Sequence, residues 1–208
     1  MRPAVLLATA AGAAVLLAVP TPGWGALLGV TSAMLAATAP ATPIAYPNSV
    51  VSANGGTVTG RPERFDTVTV VFSVQLSQAT LCSTWTNGTS SRSVTGTVSI
   101  TNGGAGNDVL TVTTVPVGTC ASGFRFGSLD LGSPGYVTAT RTYGTSTIAL
   151  TQTVTATTLR ITLGTASGAG TTVSGGSVMV YTPDPLVADL SGNRCGLNTA
   201  SSPSVVQL

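Results

Sequence analysis

Three cysteines, six acids and eight arginines hold nearly all of the reactive chemistry in this 208-residue chain. There is no histidine and no lysine. Their absence rules out Ser-His-Asp and Cys-His catalysis, a Ser-Lys pair and a lysine-bearing phosphate loop. No Gly-x-Ser-x-Gly sequence occurs. The cysteines, Cys82, Cys120 and Cys195, are too widely spaced for zinc, which takes clustered Cys and His ligands. The acids Glu63, Asp66, Asp108, Asp130, Asp184 and Asp189 could in principle form the carboxylate pair of a glycosidase. None of them sits in an aromatic-rich stretch that would hold a sugar, so the expectation is a protein that is not an enzyme and carries no cofactor.

The polar stretch "VADLSGNRCG", Val187–Gly196, stands out in a chain with 7% charged residues. Asp184, Asp189 and Asn193 offer oxygen atoms to calcium, but their spacing differs from the alternating acids of an EF-hand loop. A structural turn accounts for them better. Asp189 and Asn193 can bond nearby backbone N–H groups, and Gly192 can take a positive φ. The densest charge cluster, "RPERFD" at Arg61–Asp66, reads as a solvated entry to a strand, with loosely paired surface charges. "NGT", Asn87–Thr89, matches a glycosylation acceptor and marks a surface loop.

The elements that position these residues are strands. "DTVTVVFSVQL", Asp66–Leu76, alternates with period two, as do "SVTGTVSI" and "VLTVTTV". The last two flank "TNGGAGND", Thr101–Asp108, and read as a hairpin. Further strands are expected at Phe124–Leu131, Tyr136–Tyr143, Ser146–Gln152, Thr157–Leu163 and Ser177–Thr182, with "PSVVQL" as a last one. Many short strands and no helical periodicity after residue 45 indicate an all-β sandwich or barrel, most simply joined by Greek-key connections.

Residues 3–60 carry no charge. Arg2 followed by the apolar run Ala4–Val19 has the form of a secretory signal, and "APA", Ala39–Ala41, suits its cleavage. The expected organisation is a helical signal or N-terminal membrane segment over 1–41, a linker or irregular first strand over 42–60, and a β domain over 61–208. Export leaves about 165 residues, enough for one domain, and favours a disulfide over a metal site for the cysteines. Three pairings exist. Cys82–Cys120 is preferred, because both lie beside expected strands in the same half of the domain, leaving Cys195 free or paired between chains. A net charge of +2 without a basic cluster excludes a nucleic-acid partner, and membrane contact is expected only through the N-terminal segment.

"VTVVFSVQLS" and the later "YTPDPLVADLSGN" resemble the bacterial Ig-like domains of S-layer proteins and surface adhesins. Thr69–Ser73 match the early strand, and Tyr181–Pro183 with Asp189, Gly192 and Asn193 match the late signature. The chain departs from that pattern in "SVQLS", which lacks the usual acid and proline, and in a longer middle. The resemblance implies an Ig-like antiparallel sandwich, extracellular or at the cell surface. Its work would be structural or adhesive, against cell-wall polymer, other surface proteins or further copies of itself. A self-assembling pilus or surface-layer subunit and an exported carboxylate hydrolase are the alternatives.

Overall fold

A computed structural model describes residues 6–10, 13–17, 45–196, 198–204 and 208. The chain divides into two units, Met1–Thr42 and Pro43–Leu208. In the first, β1 (Leu6–Ala10) and β2 (Ala13–Leu17) pair antiparallel. The helix expected over this segment is therefore not the form of its described part. Short apolar runs lack the polar punctuation that separates a helix from a strand. The remainder of 1–41, with "APA", lies outside the described residues. Among those described, no helix is long and apolar enough to cross a membrane.

The second unit is antiparallel β-sheet. Its elements are β3 (Pro47–Ala53), β4 (Thr67–Phe72), α1 (Gln78–Leu81), β5 (Ser91–Thr101), β6 (Val109–Thr114), β7 (Gly127–Asp130), β8 (Arg141–Gln152), β9 (Thr157–Thr162), β10 (Thr165–Ala166), β11 (Val180–Pro183) and β12 (Ala200–Ser201). The hydrogen-bonded order is β12-β11-β7-β6-β5-β8-β9-β4-β3, with β10 on β8. The two ends of this path meet, since β11 and β12 pack against β3. The result is a curled, barrel-like all-β body. β3 occupies the stretch expected as a linker or irregular first strand, with Pro47 at its first position, where no ladder donor is needed.

Period two explains the core. Val68, Val70 and Phe72 of β4, Ile148 and Leu150 of β8, and Leu159 and Ile161 of β9 are buried inside. Tyr143 and Tyr181 join them, with Phe72 and Phe126 packed on Tyr181 at ring-centroid distances of 6.0 and 5.0 Å. Twelve-residue β8 was expected as parts of two strands. The difference is a β-bulge: Gly96 pairs with Ser146 and Val98 with Tyr143, so Gly144 and Thr145 together face Thr97. Thr145 takes φ 55° there. The extra residue moves the inward phase from Tyr143 to Ser146, Ile148 and Leu150, and a strict alternation breaks at that point.

The outward positions of β3, β4, β9, β8 and β5 align in three rows. They run Ala53–Thr67–Thr162–Thr147–Thr95, Val51–Thr69–Arg160–Ala149–Ser93 and Ser49–Val71–Thr158–Thr151–Ser91. Hydroxyls and aliphatic groups fill this face, with Thr67 buried at its edge, and Arg160 is its single charge.

Candidate functional site

Because the strands alternate in direction, the loops gather at two ends. One end holds residues 73–90, 115–126, 153–156 and 184–199. The other holds 54–66, 102–108, 131–140 and 163–179. The expected site residues divide between them.

At the first end, Cys82 and Cys120 form a disulfide with a Cα–Cα distance of 4.9 Å. Cys82 follows the single-turn α1, an element that period-two reading does not register because it spans four residues. The bond ties the α1 loop to the β6–β7 loop. Trp85 and Phe124 pack edge to face beside it, centroids 5.6 Å apart. Asn87 Oδ1 accepts from the Gln78 N–H at 2.7 Å, closing the loop that contains "NGT".

"VADLSGNRCG" lies at the same end as a hydrogen-bonded turn. The Asp189 carboxylate accepts from the N–H groups of Ser191 (2.8 Å) and Asn193 (2.9 Å), and its second oxygen accepts from Asn193 Nδ2 at 2.9 Å. Gly192 has φ 85° and donates its N–H to the Asp189 carbonyl. Asp189 also forms a β-bridge to Leu76, so the turn is sewn to the segment that follows β4. Among the described residues, no group of three or more Cys, His, Asp or Glu converges as a metal site.

Cys195 is a free thiol and fully buried. Burial pushes its pKa up to about 11, with Asp189 adding to the effect. A protonated thiol is a poor nucleophile. Of the two expectations for Cys195, free or paired between chains, the structure has it free and buried.

At the opposite end the "RPERFD" cluster departs most from its sequence reading. Glu63 does pair with Arg61, but its other oxygen accepts from the backbone of Thr57 (2.5 Å) and Val58 (2.8 Å). The Arg61 guanidinium and these amides hold the Glu63 pKa down to about 2. Asp66 is fully buried rather than solvated. One of its oxygens accepts from Gly55 and Gly56, both at 2.9 Å, and the other from Glu63 N at 2.6 Å. Burial raises its pKa, while the three amides oppose the shift. Phe65, between them, has φ 79° and an exposed ring under the Arg64 guanidinium, 4.6 Å from its centroid. A bulky residue in that region of φ is strained.

The remaining acids do similar work. Asp108, fully buried, accepts from Gly103 (3.1 Å) and Val137 (2.8 Å). Asp130 accepts from Gly132 at 2.7 Å, and Asp184 from Leu186 at 2.8 Å with Arg125 beside it at 3.9 Å. Every carboxylate side chain therefore holds a loop through backbone N–H groups. What sequence reading missed was this common role. Its one available signal was a glycine two or three residues from Asp108, Asp130 and Asp189, a composition common in turns of many kinds.

Two neighbouring surface grooves, of about 370 and 300 Å³, open at the first end and share Gln75, Val154 and Leu190. Their lining is hydroxyl, amide and aliphatic, and its only charge is the bonded Asp189. No protein-family model, curated protein or solved structure matches the chain.

Proposed function

We propose that this is an exported, cell-surface protein whose work is structural or adhesive rather than catalytic. The observation that carries the reading is the fate of the acids: all six bond loop amides in a disulfide-closed β body. A glycosidase needs one carboxyl free to give a proton and another free to take one or to attack. Glu63, Asp66, Asp108 and Asp189 each accept two or three N–H bonds and are fixed within their loops, which speaks against the carboxylate-hydrolase alternative. The disulfide supports an oxidising compartment, in line with the signal-like start.

The spatial order β8-β5-β6-β7 supports a Greek-key connection, in which a fourth strand returns beside the first of three. The Ig-like assignment rests on the resemblance of Tyr181–Asn193, whose Asp189, Gly192 and Asn193 form one turn. The continuous path through β5, β8 and β9 departs from the two separate sheets of an Ig sandwich.

Fractionation of the cells that make the protein tests the proposal. Surface exposure is read by protease shaving of intact cells, and the expected result is recovery in the envelope or medium. Recovery in the cytosol alone would overturn it.

A further inference from the structure

The outward face of β3-β4-β9-β8-β5 carries one charge, and it stands at the middle. Arg160 belongs to β9, the central strand of the five, and to the middle row. It is exposed, and no ion-pair or hydrogen-bond partner for it occurs among the described residues. Thr158 and Thr162 flank it along β9, and Thr69 and Ala149 flank it across the ladder. None of the six acids lies on this face.

We propose that this face binds a polyhydroxylated chain bearing carboxylates, that is, an acidic glycan. None of the three rows holds an aromatic ring on which a sugar would stack, as in a glycosidase cleft; the threonine and serine hydroxyls both donate and accept, so they complement the hydroxyls of an extended chain without fixing one register. The Arg160 fork matches a carboxylate with two parallel N–H bonds. A second copy of the chain fits less well. Strands about 4.8 Å apart and six residues long make a face of roughly 400–500 Å², against about 800 Å² per partner in a stable complex. A two-fold, face-to-face pair centred on this face would also set Arg160 against its twin. A long polymer needs no large single contact, because many bound copies along it add avidity.

The proposal rests on the surface role above but is tested separately, with purified full chain. Affinity electrophoresis through gels containing polygalacturonate should retard the protein, and gels containing dextran should not. Arg160→Gln should weaken the retardation about ten-fold, the scale of one lost bidentate contact. Arg160→Lys should lose less, because the charge remains. Arg194→Gln, at an exposed arginine off this face, should behave as the unaltered chain. Circular dichroism should be the same for all. Equal retardation by dextran, or retention unaffected by Arg160→Gln, or equal loss in Arg194→Gln, would overturn the proposal. A dimer in ultracentrifugation that Arg160→Gln strengthens would do so too, and would make a second copy the occupant. Failure here leaves surface location untouched, and cytosolic location would leave the glycan result standing as a property of the face.

Discussion

Glu63 and Asp66 are three residues apart, and their surroundings shift them in opposite directions. The Glu63 pKa is depressed to about 2 from 4.5. Its contribution to stability is therefore present above about pH 4.5 and is lost as pH falls toward 2. Asp66 is raised by burial, so acidification below its folded pKa favours the folded state. Chemical denaturation between pH 5 and 2 should show the native chain losing stability through Glu63, and Glu63→Gln should flatten or reverse that slope. An unchanged slope would mean that the loop bonds do not hold in solution. At Asp189, substitution by Ala leaves the Ser191 and Asn193 amides without their acceptor. The expected cost is about 2–3 kcal/mol, or roughly 5–10 °C in Tm for a chain of this size, read by calorimetry. The Asp189 turn was legible because Asp, Gly and Asn state their turn chemistry locally. Asp66 was not, because its partners Gly55 and Gly56 lie eleven and ten residues away, and nothing in "RPERFD" announces burial.

At the scale of elements, the alternation of Val and Thr made β4, β5, β6 and β9 legible to within a few residues. It failed where a strand changes phase. β8 reads as two strands because Gly144 and Thr145 form a bulge, and the pattern slips by one there. Thr145 holds φ 55° without the freedom of glycine. Thr145→Gly should therefore raise stability by up to about 1 kcal/mol, and Thr145→Val should lower it. A fall in Tm for the glycine variant would contradict the strain. Gly164, after β9, shows the opposite constraint. A Cβ there would stand 2.0 Å from the Gly144 carbonyl oxygen. Gly164→Ala should then cost about 1–3 kcal/mol through overpacking, measured by thermal unfolding. α1 was invisible for a different reason: one turn of helix presents no period to detect.

For the whole molecule, a low-charge chain with little aromatic content closes its core by curling one sheet until β11 and β12 meet β3. The loops at both ends are then held by carboxylates rather than by ion pairs, since only Arg61–Glu63 and Arg125–Asp184 pair among the described residues. The disulfide closes a loop of 38 residues and is worth about 4 kcal/mol on the chain-entropy account. Reduction should lower Tm by roughly 8–16 °C. An all-β body could be inferred from composition and period. The order of its strands could not, because pairings such as β5 with β8 join residues about fifty positions apart and leave no local mark. The role proposed above is that of an exported, disulfide-closed surface protein. The most direct test is non-reducing peptide mass mapping of the native protein, taken separately from medium, envelope and cytosol of its own cells. The expected result is a Cys82–Cys120 linked peptide pair with Cys195 as a free thiol, recovered outside the cytosol. Three reduced thiols in a cytosolic pool, with none of the chain outside, would contradict it.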